Sequence, residues 1–265
     1  MALSRRRASP RHRRWVRPLI LAIALGLVGV VVAGWLPFAR TRVSPAEAAA
    51  GSLGNPLGRY WLPIFEATRA HKPLPEVSGA EYARFLEAIL IAEQGGPGCL
   101  STWVCHQMIY PLWSSVQALG NDMEGENTSV GLAQLRPETA AQLMQGWIKH
   151  AGRKVYHGVE PRFSVAGSGS HRVNSALLAS PDVSIEYLAA NLAMGAAVAR
   201  YFGYEPNLDD LARWHHTGVG VWTRRLERVD EDVWGWGTAY ARKVQSWLQE
   251  AESLFGAPPE AVVSP

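Results

Sequence analysis

Cysteine is nearly absent from this 265-residue sequence: Cys99 and Cys105 are the whole supply. Two cysteines cannot frame a disulfide-dense scaffold, their spacing is not that of a CxxC pair, and no HExxH motif stands elsewhere. His215 and His216 are adjacent, so on a helix their side chains diverge by about 100° rather than converge on one ion. The sequence accordingly predicts no metal and no cofactor. In an exported domain a lone close pair such as Cys99 and Cys105 is read as a disulfide that stiffens a short loop. Strand-type alternation of apolar and polar residues is missing too, which argues against a sandwich or barrel and leaves an all-α fold.

Acidic residues are absent from the first 46 positions, where nine arginines stand between Arg5 and Arg42. Removing those nine from the 26 basic residues leaves 17 against 23 acidic ones, so the remainder carries about −6 despite a formal net charge of +3. A folded part with that balance excludes nucleic acid as the expected partner, since such binding needs clustered phosphate contacts. The arginines flank an uncharged run instead. Residues 19–36 read LILAIALGLVGVVVAGWL, long enough to span a bilayer as a helix, with Trp15 and Trp35 at its ends. The positive-inside tendency keeps the basic tail, residues 1–18, in the cytoplasm and sends the chain beyond the run across the membrane. The rival is a cleaved signal peptide with Ala46-Glu47-Ala48 at its cleavage site, but the apolar run is longer than the usual signal core. Both readings export the chain, and the longer run favours a single-pass anchor in the cell membrane.

Residues 37–77 hold Pro45, Pro56, Pro63, Pro73 and Pro75 among small residues and read as a linker, from which Trp61, Ile64 and Phe65 can dock on the adjoining domain. That domain is expected over 78–255, with a tail over 256–265. Ser78-Gly79-Ala80-Glu81 is a capping-box pattern, and Tyr82, Phe85, Leu86, Ile89 and Leu90 recur at helical spacing until Gln94-Gly95-Gly96-Pro97 stops the helix. One short helix is predicted around Met108–Trp113. Pro137 opens another through about His150, with Leu143, Met144, Trp147 and Ile148 inward. Residues 151–180 show no period. A long helix with small residues for close packing is predicted over 183–202, one capped by Asn207 or Asp209 and ending near Trp214, and a last one over 238–254.

Glu93 is the residue in which chemistry first shows. Ile89 and Leu86, four and seven positions earlier, put it on the apolar face of its helix. It also lies in the last turn, where the helix dipole disfavours negative charge. Burial and dipole together predict a raised pKa, as a general acid near neutral pH requires. The competing reading is a glutamate fraying into solvent at a helix end. Ser129 to Ala140 supplies the other notable stretch, a glycine-containing turn bearing Gln134 directly before Pro137.

With those pieces in place, the chain resembles the lysozyme-like domain of the soluble lytic transglycosylases, which cut peptidoglycan strands. Gly131-Leu132-Ala133-Gln134-Leu135-Arg136-Pro137-Glu138-Thr139-Ala140 is similar to the family's G-L-M-Q-[LI]-M-P-x-T-A. Asn191-Leu192-Ala193-Met194-Gly195 resembles its N-[IL]-x-x-G helix, Trp214-His215-His216-Thr217-Gly218-Val219-Gly220 its A-Y-N-A-G-P-G, and Tyr240-Ala241-Arg242-Lys243-Val244 its terminal Y-V-x-x-V. The resemblance implies that Glu93 is the single catalytic glutamate, acting first as acid and then as base to leave a 1,6-anhydro sugar. It also implies that Gly131, Gln134, His215, His216, Tyr240 and Gln94 meet the substrate. Gln94 stands where the family has serine, Ala133 where it has methionine, and His215-His216 where it has tyrosine-asparagine. Asp122, Glu124 and Glu126 are rival carboxylates too close before Gly131 for the catalytic role, though they can line the cleft. Trp103, Trp113, Trp214 and Trp222 are candidates either for stacking on sugars or for the core. Gly131 comes 38 positions after Glu93, a long insertion. With residues 151–180 it is expected to add walls to the groove or a surface for a cell-envelope protein partner.

Overall fold

The computed structural model describes residues 60–94, 110–124, 127–168, 173–220 and 234–255, with Gly26 and Gly29 besides. The expected anchor apart from those two glycines, the Cys99–Cys105 pair, Glu126, Trp103 and Trp222 lie outside the described residues. Among the described residues no helix is long and apolar enough to cross a membrane.

Eight helices and two short strands make up the described fold, so the helical expectation holds and strict absence of strand does not. The first helix, α1 (Trp61–His71), falls within the stretch read as a linker. Its prolines misled: Pro63 sits in the first helical turn, where a missing N–H costs no internal hydrogen bond, and Pro73 lies just beyond the end. Tyr60, Trp61 and Ile64 are core residues, so the folded body begins before residue 78. Next comes α2 (Gly79–Glu93), whose N-cap Ser78 accepts from Glu81 N at 3.1 Å, as the capping pattern predicts. The insertion after it contains α3 (Tyr110–Glu124), longer than the short helix expected there, with Trp113, Val116 and Leu119 exposed on it.

Helix α4 (Pro137–Gln145) stops five residues before the predicted end. Gly146 takes a left-handed conformation, φ 71°, and closes the helix. Trp147–His150 (β1) and Arg153–Tyr156 (β2) then pair antiparallel across Ala151 and Gly152, whose φ values are 46° and 79°. A turn with two positive φ angles matches the twist of a hairpin. Ile148, read as the inward side of a helix, is buried opposite Val155 in the hairpin instead. The spacing of Leu143, Met144, Trp147 and Ile148 suits either structure, and Gly146 decides between them. The segment 151–180 thus carries β2, a bridge between Ala166 and Val173, and the one-turn helix α5 (Ser175–Leu178).

At the centre runs α6 (Pro181–Tyr201), buried on nearly all sides from Ser184 to Ala199. Its small residues let α7 (Leu208–Thr217) come close: a Cβ on Gly195 would lie 2.6 Å from Cγ of the buried Trp214 ring. Asn207 caps α7 with a full capping box shared with Asp210, as one of the two expected caps. The last helix, α8 (Trp234–Phe255), packs on α2 and α7. Through these packings the end of α2, the end of α7 and the middle of α8 meet at one place.

Candidate active site

Glu93 is the last residue of α2, and its side chain is 16% exposed. The Lys243 ammonium of α8 donates to Ala92 O at 2.7 Å, tying α8 to the carbonyl end of α2. One turn earlier on α8, the Tyr240 hydroxyl donates to Glu93 Oε1 at 2.5 Å. His215, on α7, brings Nε2 to 3.3 Å from the same oxygen. His216 stacks on the Tyr240 ring with centroids 4.5 Å apart and planes 6° from parallel. Glu93, His215, His216 and Tyr240, predicted from three separate stretches, are therefore brought together.

The electrostatics of Glu93 overturn one expectation. Burial pushes its pKa up, as expected, but the contact and charge of His215, the Tyr240 hydroxyl and the charge of His216 outweigh it, so the pKa lies below the ordinary glutamate value. The helix-face argument located the residue and missed the donors that gather on it. Tyr240 is held well above its ordinary value, chiefly by burial and then by Glu93, and stays a hydroxyl donor. His216 is lowered by burial, against the upward pull of Glu93.

A cleft of about 410 Å³ opens beside Glu93, walled by Ser129, Gln134, Arg136, Glu138 and Gln142 on one side and by His215 to Gly220 on the other. The first wall is the glycine turn. Val130 and Leu135 pair by two backbone hydrogen bonds of 2.9 and 3.0 Å, and the turn between them is anchored by Ala133 N donating to Ser184 Oγ at 3.0 Å. Gln134 sits at φ 47° and lines the cleft, its amide nitrogen donating to Gly131 O at 2.9 Å. That leaves the amide oxygen for a ligand.

Other predicted contacts prove to be behind the wall. Gly131, at φ 76°, is buried against α5 and α6; a Cβ there would lie 2.6 Å from Ser184 Oγ and 3.0 Å from Leu178 O, so glycine serves packing. The Gln94 amide is buried and donates to the carbonyls of Leu132 and Gly131, strutting the turn against the end of α2 and not lining the cleft. Ala133 is wholly buried. Trp214 is only 1% exposed, which removes it as a sugar-stacking face, whereas Trp113 is 57% exposed on α3. Asp122 accepts from Ser175 N at 3.0 Å, the first residue of α5 after its N-cap Asn174, and does not line the cleft.

Several cleft residues are not expected from the sequence, Ser129, Arg136 and Gln142 among them, and two more bear directly on the chemistry. Glu138, in the first turn of α4, lines the cleft and exchanges hydrogen bonds with Asn127, at 3.1 Å through its carboxylate and 3.0 Å through its backbone N–H. Asn191 lies between Trp214 and His215, with Oδ1 3.0 Å from the indole nitrogen and Nδ2 3.2 Å from His215 Nδ1. Its signal was present: it is an amide among alanine, leucine and methionine on a helix buried all round. A carboxyl group with two donors on one oxygen, a second carboxylate and amide groups along the cleft can protonate a leaving oxygen and hold a polar, uncharged chain. Comparison with known protein families, with curated proteins and with solved structures finds no match for this chain.

Proposed function

We propose that this chain is a peptidoglycan lytic transglycosylase with a lysozyme-like helical domain, held on the outer face of the cell membrane by its apolar N-terminal run. The observation that carries the reading is convergence. Glu93, Gln134 and His215, far apart in sequence, line one cleft, Tyr240 donates to Glu93 from behind, and Gln134, His215 and Tyr240 belong to three of the four stretches through which the chain resembles the family. In the proposed reaction Glu93 gives its proton to the oxygen between N-acetylmuramic acid and N-acetylglucosamine as an oxocarbenium-like transition state develops. The carboxylate then takes the proton of the muramic acid 6-hydroxyl, whose oxygen closes on C1. Bond broken and bond formed are both C1–O, and no water is consumed.

A second reading has a specific observation behind it. Glu93 is held toward its ionised form in the free protein, which suits a domain that binds glycan without cleaving it. Incubating the full chain with purified peptidoglycan separates the two. Transglycosylation releases anhydro-muropeptides, and Glu93→Gln lowers the rate by roughly 10²–10⁴-fold, the usual weight of general acid catalysis. Binding without release by wild type supports the second reading. Products with free reducing ends identify hydrolysis, with Glu138 as the carboxylate available for the second role.

A further inference from the structure

The environment of His215 determines which of its nitrogens carries the proton. The Trp214 indole nitrogen is a donor only, so the Asn191 atom 3.0 Å from it must be the amide oxygen. This fixes the other end of the amide: Asn191 Nδ2, which also only donates, faces His215 Nδ1 at 3.2 Å. His215 Nδ1 must then accept, which leaves the ring hydrogen on Nε2, the nitrogen 3.3 Å from Glu93 Oε1. A second hydrogen on Nδ1 would point at the amide hydrogens of Asn191. Relieving that clash by turning the amide over would set its NH₂ against the indole N–H, and both groups are buried.

We propose that Trp214 and Asn191 are positioning residues that hold His215 as the neutral, Nε2-protonated imidazole. His215 and Tyr240 then both donate to Glu93 Oε1, and the acid's own proton is confined to Oε2. The charge of His215 that helps to lower the Glu93 pKa belongs to its imidazolium form; as the neutral imidazole His215 keeps its contact with the carboxyl without that charge, which leaves the acid less strongly drawn to its ionised form. The arrangement belongs to this chain in particular, because histidine stands at the position where the resembled family has tyrosine. A tyrosine hydroxyl has no second ring atom through which a neighbouring amide can choose its donor. The ionisable groups around the pair are His216 on α7, Tyr240 and Lys243 on α8, and Arg136 and Glu138 across the cleft.

The consequence for the acid rests on the transglycosylase reading; the tautomer does not. Nitrogen-15 NMR of the histidine-labelled full chain in detergent micelles reads the tautomer directly. The expected spectrum at neutral pH gives His215, identified by its loss in His215→Gln, a bare Nδ1 and a protonated Nε2. A protonated Nδ1 in the wild type, as the other tautomer or as imidazolium, overturns the proposal whatever the activity. Asn191→Asp keeps an oxygen for Trp214 and presents a carboxylate to Nδ1, so the hydrogen moves there and imidazolium is favoured; Trp214→Phe releases the amide and gives mixed tautomers. An unchanged spectrum in both folded variants overturns the proposal too. If the wild type cleaves peptidoglycan, Asn191→Asp also moves the alkaline limb of the rate profile to lower pH. Failure to cleave defeats the function reading and leaves the tautomer to be decided by the spectrum alone.

Discussion

Gly195 joins the fold to the site. It is the residue of α6 against which the Trp214 ring lies, and the ring's nitrogen in turn holds Asn191. A methyl added at Gly195 meets ring atoms at 2.6 and 2.7 Å, and a buried indole cannot swing away as an exposed side chain does. Gly195→Ala is therefore expected to cost about 1–3 kcal/mol, the usual range for overpacking, although alanine is the better helix former. Gly79→Ala is the control, because a Cβ there meets nothing closer than 4.0 Å. Urea unfolding followed by circular dichroism compares them. Equal midpoints for Gly195→Ala and wild type would show that the α6–α7 contact has slack, and the geometry of the Trp214–Asn191 bond would lose its support.

At the scale of elements, the hairpin β1–β2 is the clearest case of a structure set by one backbone position. In it Lys149 stands directly opposite Lys154, a like-charge pair that disfavours the pairing. Lys154 has a second contact, its ammonium lying 4.3 Å from the centre of the Trp147 ring. Lys149→Glu keeps that contact and replaces repulsion with attraction, so it is expected to stabilise the protein by about 0.5 kcal/mol at low salt. The gain should fade as salt screens the exposed pair, and a gain indifferent to salt would sink the electrostatic explanation. The same hairpin marks what the sequence makes legible. Helices α2, α6, α7 and α8 announce themselves through caps and 3–4 periodicity, because burying one stripe is a local pattern. Glu93 and Gln134 stand out for a similar reason, one on the apolar face at a helix end and the other in a glycine turn before Pro137, whereas His215, His216 and Tyr240 are singled out only by the resemblance. The hairpin and α1 were missed because Gly146 and Pro63 act through φ angles and position within a turn, which composition does not report. The donors on Glu93 and the place of Gln94 behind the wall were missed because both depend on contacts between residues far apart in sequence.

For the molecule as a whole, the question is what keeps α1 attached to the body that carries the site. The answer is an ion cluster under the surface. Glu186 of α6 is fully buried, with Oε1 2.5 Å from His71 Nε2 and 3.0 Å from Arg162 N, and Oε2 2.7 and 2.8 Å from the Arg162 guanidinium, which also reaches Glu66 at 3.1 Å. Burial opposes ionisation of Glu186, but His71 and Arg162 outweigh it and hold the carboxyl at about 2. A lowered folded-state value means that the stabilisation is complete above the ordinary glutamate value of 4.5 and disappears as pH falls from there toward about 2. The shift corresponds to about 3 kcal/mol. Glu186→Gln gives that contribution up at every pH. Other carboxylates titrate in both proteins, so the difference between them isolates Glu186. Urea unfolding should find wild type well ahead of Glu186→Gln at about pH 7 and the gap mostly closed below about pH 3. A gap that stays constant would mean that the glutamate stabilises through shape and not charge, and that α1 is held by its apolar face alone.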